Sequence, residues 1–408
     1  MLNKNGEREL AYLVNIDNIE PIPNYDRVEW ATVGGWKVIV QKGQFNIGDP
    51  AIYFEIDSKV PSDHECFAFL EKRNYKVKTL KMCKVISQGL LMHPSDFGWE
   101  VQVDGGVYDG DGDHGVHYVN DESRFVTKLL GVTYADAEDN QRKANPMDKY
   151  KKMAQRHPAI FKKPFVRWLM KRNWGKKLMF ALFGKKKDKK NGWPEWVSKT
   201  DEERIQNMPW VLNDTGKWVV TEKIDGSSTT FTMKLGRFGK LDFYVCSRNV
   251  CFDSIDKPCY YDTNIYWEMA KKYDMYNVLK TILEEHPGME WVTIQGETFG
   301  AGVQKRDYSL DGHDFMAFNL ITSDRGRWGT LEMKNYLETV FGVPCIPVID
   351  CAFYFNLLNE PRMDAILTMA DGNSVIDNKP REGFVLRSAD GSKSFKAVSN
   401  NFLLKFHS

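Results

Sequence analysis

The chain has 408 residues, 42% of them hydrophobic and 13% aromatic, with a mean hydropathy of −0.47 and a formal net charge of +1. That is enough apolar side chain for sizeable cores in two or three domains, and it excludes wholesale disorder. No apolar run approaches the ~18 residues of a membrane-spanning helix, and seven irregularly spaced Cys argue against a disulfide framework, so the cytoplasm is the default address.

The near-zero charge hides a division. Residues 141–200 carry nineteen Lys/Arg against Asp148, Asp188 and Glu195, a net of +16, which leaves −15 on the remaining 348 residues.

The N-terminal stretch reads as short strands. Glu29 to Val33 and Trp36 to Val40 alternate around the turn Gly34-Gly35, and Ala51 to Ile56 follows the turn signal Gly48-Asp49-Pro50. Val77 to Val85 and Gly89 to Met92 add further strands. Closely spaced short strands predict a small barrel or sandwich.

Residues 104–117 form a Gly/Asp-rich loop. Its Gly110 to Gly115 run matches a dinucleotide fingerprint, but Asp109, Asp111 and Asp113 would repel a pyrophosphate. A calcium loop fails too, because His114 stands at the turn position and Asn120 at the twelfth. Residues 145–183 pattern as basic helix, with Phe165, Trp168 and Trp174 among the lysines. Gly184 to Gly192 reads as an exposed loop. Three readings of this segment stay open: a solvated connector, a membrane-surface helix, and the favoured one, a nucleic-acid contact. Beyond 200 strands and helices alternate, with one amphipathic helix predicted over 264–285 and another over 329–341. Cys246, Cys251 and Cys259 lack zinc spacing, and no phosphate-binding P-loop motif occurs.

One run stands out. Val219-Val220-Thr221-Glu222-Lys223-Ile224-Asp225-Gly226-Ser227-Ser228 is an apolar strand ending in a Lys, followed by Asp-Gly and two small hydroxyl residues. Alone it is a strand end with a solvated lysine and a turn. Downstream, in order, come Ser247-Arg248-Asn249, Gln295-Gly296-Glu297, Phe315 to Asn319, Glu382-Gly383-Phe384-Val385 and Ser394-Phe395-Lys396-Ala397. Together these resemble the motifs of the covalent nucleotidyltransferase superfamily of polynucleotide ligases and capping enzymes. Twelve residues follow Lys396, which leaves no room for the C-terminal barrel of DNA ligases and capping enzymes. The arrangement is similar to ATP-dependent RNA ligases with an N-terminal OB-type domain. Leu10 to Pro61, and Thr200 to Asn207 ahead of the catalytic domain, resemble that family as well.

The resemblance implies an α+β chain. Residues 1–125 form a small OB-like β-barrel for nucleic acid, and 126–199 a basic helical insertion or linker. Residues 200–408 form an ATP-grasp-like nucleotidyltransferase domain of antiparallel sheets flanked by helices. It implies Lys223 as nucleophile, with an amine pKa lowered by neighbouring positive charge. Lys396 is expected on the α-phosphate, and Glu382 and Asp225 on Mg²⁺ or Mn²⁺. Glu297 is expected on the ribose, Arg248 beside it, Phe318 stacked on adenine, and Glu222 at the adenine edge. Gly226 belongs to the nucleotide turn and Arg204 to the triphosphate tail. The implied partners are ATP and RNA, possibly as a nicked duplex or an RNA/DNA hybrid, for a monomer off the membrane. The implied activity seals 3′-hydroxyl and 5′-phosphate ends through lysyl-AMP. A DNA ligase, a capping-type enzyme and a silent nucleic-acid binder are the alternatives. The fifth motif departs from the Lys-x-Lys of many ligases: Val398 stands at the second position, and Lys393 and Lys405 are the nearby substitutes.

Overall fold

The computed structural model describes residues 1–5, 7–110, 115–135, 163–170, 172, 179, 193–199, 202–252, 254–257, 259–261, 263–358, 363–389 and 391–407. Met1–Ala135 and Glu195–Ser408 form one compact unit, and Asp136–Pro194 a second.

In the first unit the short strands form as the alternation predicts. Strands β1 (Ala11–Asn15), β2 (Asn18–Pro21), β3 (Val28–Val33), β4 (Trp36–Gln41), β5 (Pro50–Phe54) and β6 (Leu90–Met92) build two three-stranded antiparallel sheets. One has the order β1-β5-β6 and the other β2-β3-β4. Val33 pairs with Trp36, so Gly34-Gly35 is a two-residue hairpin turn. β5 is buried along most of its length. Ile52 and Phe54 enter one core, with Phe67 and Val126, while Ala51 and Tyr53 enter a second, with Trp36. Burial on both faces explains why β5 reads as a continuous apolar run.

From residue 203 two larger sheets follow. The five-stranded sheet is built from β7 (Glu203–Arg204), β8 (Trp218–Lys223), β15 (Val348–Phe353), β16 (Gly383–Ser388) and β17 (Ser394–Val398), in the order β7-β17-β16-β8-β15. Only the β7–β17 pairing in it is parallel. The six-stranded sheet is built from β9 (Ser227–Leu235), β10 (Leu241–Ser247), β11 (Cys251–Phe252), β12 (Trp291–Gly300), β13 (His313–Thr322) and β14 (Gly326–Arg327), in the order β11-β10-β9-β12-β13-β14. Neighbours in this sheet run antiparallel. Helices cover one face of it: Met269, Leu279 and Leu337 pack against Phe231, Ile294 and Phe315.

The helix predicted over 264–285 is two helices, Ile265–Lys272 and Met275–Glu285. The break falls at Asp274, whose φ of 46° is left-handed. The apolar periodicity runs through this break because both helices pack on one core, so periodicity alone could not reveal it. The helix expected over 329–341 forms as Thr330–Phe341.

The strands on either side of residue 200 meet through buried polar groups. Glu55 is fully buried and accepts Arg8 Nη2 at 2.9 Å and Asn207 Nδ2 at 2.8 Å. The Met1 amine also donates to it. Trp36 Nε1 donates to Asn207 Oδ1 at 2.6 Å, and the Gly35 amide to the Gln206 carbonyl at 2.7 Å. Burial alone would raise the Glu55 pKa, but the Met1 amine, Arg8 and Asn207 hold it down at about 2. Val398 and Leu403 enter the Trp36–Tyr53 core from the C-terminal end.

The second unit is described only in part. Its helix Pro164–Met170 buries Val166 and Leu169 and exposes Phe165. Most of the +16 segment, including Trp174 and the Gly184 to Gly192 loop, lies outside the described residues. No helix among the described residues is long and apolar enough to cross a membrane.

Candidate active site

Strand β8 ends at Lys223, where its neighbour β16 begins. Lys223 pairs with Gly383, and Glu382 immediately precedes that glycine. Lys223 Nζ therefore meets Glu382 Oε2 at 2.7 Å. Gly383 has φ of +148°, and a Cβ there would come within 2.1 Å of the Ala397 carbonyl oxygen, so only glycine fits between the two strands. Lys396 pairs with Val385, which pairs with Thr221. Directly opposed residues share a face, so Lys396 and Lys223 project from the same side of the sheet.

After Lys223 the chain turns through Asp225-Gly226 into β9. A Cβ on Gly226 would lie 2.4 Å from the Thr298 carbonyl oxygen, and this close approach brings Glu297 of β12 beside the turn. Two residues that the sequence reading missed brace the turn. The Asp225 amide donates to the Tyr308 hydroxyl at 2.6 Å, and Gln304 Nε2 donates to the Gly226 carbonyl at 3.0 Å. Both come from the Gln304 to Tyr308 run soon after the third motif, a mixed polar segment with no pattern to single it out.

Three carboxylates thus face one ammonium in a partly closed space. Burial, with Glu382 adding repulsion, pushes Asp225 up to about 7. Burial pushes Glu297 up to about 8 against the attraction of Lys223, with Glu382 and Asp225 adding repulsion. For Lys223, burial favours the neutral amine, but Glu382, Glu297 and Asp225 raise its pKa above the ordinary value. The lowered value expected from sequence requires the added positive charge of a bound metal and Lys396. Without a bound cation the carboxylates dominate, and Lys223 is held as an ammonium paired to Glu382.

Glu222 and Phe318 come from different sheets, on β8 and β13. In the β12–β13 ladder Gln295 pairs with Asn319 and Gly296 with Ala317, so Phe318 is the extra residue of a β-bulge. Bulges re-aim side chains next to sites. Phe318 is half-buried against Ile224, Phe299 and Ile346, and Arg387 Nη1 donates to its carbonyl at 2.5 Å. Glu222 is 1% exposed; its Oε2 accepts the Val375 amide at 2.9 Å, while Oε1 has no hydrogen-bond partner among the described residues. A buried acceptor left open is a ready contact for a ligand amine.

Arg248 sits exposed at the two-residue turn between Ser247 and Val250, close enough to Glu297 to affect it electrostatically. Arg204 is not gathered in with the others. It lies one strand from Lys396 in register, but its guanidinium is buried against Asp57 at 3.0 Å and lies over Trp36. Val398 is 2% exposed and packs in the Trp36–Tyr53 core, so the second position of the fifth motif serves packing. Of its two substitutes, Lys393 is bound to Asp214 at 2.7 Å, whereas Lys405 lines a cavity with Lys305 and Lys379.

Among the described residues no three His, Cys, Asp or Glu side chains cluster as a metal site. The carboxylates of Glu382 and Asp225 are oxygen donors of the kind that suit a hard, largely hydrated cation.

A family model described as RNA ligase matches residues 216–405, and an OB-fold domain model matches residues 10–94. No curated protein matches the chain. Among solved structures, Naegleria gruberi RNA ligase with PPi is 26% identical with a TM-score of 0.68, covering 98% of this chain and 99% of that one. Two mutants of the same ligase with ATP and Mn align at 25% and 26% identity with TM-scores of 0.69 and 0.70. They cover 98% of this chain and 99% and 100% of their own. Residues 216–405 are thus an RNA ligase domain, joined in this chain to an N-terminal OB-fold domain.

Proposed function

We propose that this enzyme seals RNA by an ATP-dependent cycle through lysyl-AMP on Lys223. The observation that carries the reading is the end of β8, where the Lys223 amine meets Glu382 inside a carboxylate cage, on the same face as Lys396. Lys223 gives its proton to solvent and attacks the α-phosphorus; a P–N bond forms and pyrophosphate leaves. A 5′-phosphate oxygen of RNA then attacks the same phosphorus, the P–N bond breaks and Lys223 regains a proton. Finally a 3′-hydroxyl attacks the activated 5′-phosphate and AMP leaves. Catalysis is positioning and charge stabilisation, as for phosphoryl transfer generally.

Lys396 holds the α-phosphate, and its charge favours the neutral Lys223 amine once the carboxylates are neutralised. Glu382 and Asp225 would hold Mg²⁺ or Mn²⁺, which would supply positive charge at the phosphate and offset the carboxylates. Glu297 takes the ribose hydroxyls with Arg248 beside it. Phe318 stacks on adenine, Glu222 Oε1 reads its edge, and Gly226 keeps the turn close to the nucleotide. Arg204, held by Asp57, acts at the seam rather than on the triphosphate.

Residues 1–125 hold the RNA on its 3′-hydroxyl side, 200–408 activate the phosphate, and the basic 126–199 segment adds contacts to a nicked duplex or hybrid. The enzyme works as a monomer in the reducing cytoplasm.

The test is incubation with α-labelled ATP and Mg²⁺, followed by denaturation. Wild type is expected to retain label and Lys223→Ala to lose it entirely, while labelled GTP gives none. An unlabelled wild type would refute the reading, and label retained on the alanine variant would refute the site.

A further inference from the structure

Val398 leaves one phosphate contact of the fifth motif without its lysine, and a cavity walled in part by the Gln304 to Tyr308 run gathers lysines from three separate segments. Lys305, Lys379 and Lys405 line this cavity of about 310 Å³ together with Arg306, Asp307 and Phe406. The three lysines are exposed, and Asp307 is the single carboxylate on the wall, 3.9 Å from Lys379 and itself largely in solvent. An exposed pair of that length neutralises little.

The floor of the cavity is a second, independent sign. Arg306 is 3% exposed and stacks on Tyr308, its guanidinium 3.9 Å from the ring centre. Its Nη2 donates to Asp377, but Nε and Nη1 are buried with no hydrogen-bond partner among the described residues. Buried guanidinium donors are rarely left open in a finished core. The cavity is tied to the catalytic turn by covalent neighbours: Gln304 donates to Gly226, Tyr308 accepts from Asp225, and the charges of Arg306 and Lys305 are felt at Asp225. A carboxylate cage suited to a cation therefore lies beside a cationic cavity suited to an anion.

We propose that this cavity is a phosphate subsite, in which Lys305, Lys379 and Lys405 hold a phosphate group of the enzyme's polyanionic substrate next to the Lys223 turn. The proposal rests on the RNA-sealing reading above for the identity of that substrate. Two sources share the chemistry, the triphosphate tail of ATP and a backbone phosphate of the RNA strand. Lysine suits either, as a flexible point charge that follows a phosphate through a reaction. Lys405 in this role takes over, from a different place in the chain, the work that Val398 does not do.

The test uses the full chain with Lys305, Lys379 and Lys405 all changed to Gln, and a companion with all three changed to Arg. Three readouts are compared with wild type: lysyl-AMP formation against ATP concentration, sealing of pre-adenylated nicked RNA without ATP over a salt series, and the thermal shift caused by inorganic pyrophosphate. If the phosphate is ATP's, the Gln variant needs roughly tenfold more ATP or worse and loses the pyrophosphate shift, while pre-adenylated RNA is sealed as before. If it is the strand's, adenylation is unchanged, sealing weakens about tenfold, and the salt slope falls by ~0.7–0.9 for the one phosphate no longer held. The Arg variant retains most of whichever function is lost, because charge is kept. All three readouts within twofold of wild type would overturn the proposal. A wild type that forms no lysyl-AMP yet shows a lysine-dependent pyrophosphate shift would instead leave the subsite standing and remove the functional reading.

Discussion

Two buried charge clusters lie within the same compact unit and have opposite character. At the seam, Glu55 has both carboxylate oxygens engaged, by the Met1 amine, Arg8 and Asn207, and its pKa falls to about 2. At the active site, Asp225, Glu297 and Glu382 face Lys223, and Asp225 and Glu297 rise to about 7 and 8. Both clusters are shielded from water, so burial alone does not separate them. The seam contains a countercharge for its carboxylate and is complete without a ligand. The cage sets three carboxylates against one lysine, and in the chain by itself protons held on Asp225 and Glu297 make up the difference. A buried cluster that is electrostatically finished is structural, and one left unfinished marks a site where something binds.

The sharpest way to break this contrast is Glu55→Ala. Removing one partner of a buried pair strands the others, so the expected loss is about 3–5 kcal/mol of unfolding free energy. Urea unfolding at pH 7 measures it, and lysyl-AMP formation per folded molecule should stay within a few-fold of wild type. A variant that folds normally but cannot adenylate would mean that the seam belongs to the catalytic machinery.

The sequence disclosed much more of the cage than of the seam. Lys223, Glu297, Glu382 and Lys396 each sit in a short local pattern, and those patterns occur in a recognisable order. Strand alternation and the turn Gly34-Gly35 are equally local, which is why β3, β4 and the helix Thr330–Phe341 could be placed in advance. Glu55, Arg8 and Asn207 are far apart in the chain, and nothing near any of them announces a partner. The same limit hid the packing of Val398 into a core made mainly by residues 12–91. It also hid the capture of Arg204 by Asp57 and the support of Asp225 by Tyr308. The expectation of a lowered Lys223 pKa concerns the loaded site. It counted the cations of the working complex, whereas the folded chain by itself presents three carboxylates.

The clusters should also respond to pH in opposite directions. Glu297 in the folded chain binds its proton more tightly than an unfolded glutamate, so its contribution to stability is complete below about pH 4.5 and is lost as pH rises through about 8. Glu55 is depressed, so its contribution is complete above about pH 4.5 and is lost as pH falls towards 2. Between pH 5 and 8 the carboxylates that titrate are those of the cage, while the Met1 amine at the seam, its pKa lowered chiefly by burial, opposes the trend. Unfolding free energy of the ligand-free protein should therefore fall across that range, on the order of 2 kcal/mol after allowing for protons shared among the three carboxylates. In Glu297→Gln the fall should be much shallower, because one of the two carboxylates that titrate there is gone, while the acid limb governed by Glu55 keeps its shape. If Glu297→Gln retained the full slope, the protons that balance the cage would be held elsewhere, and the contrast between a finished seam and an unfinished cage would lose its electrostatic basis.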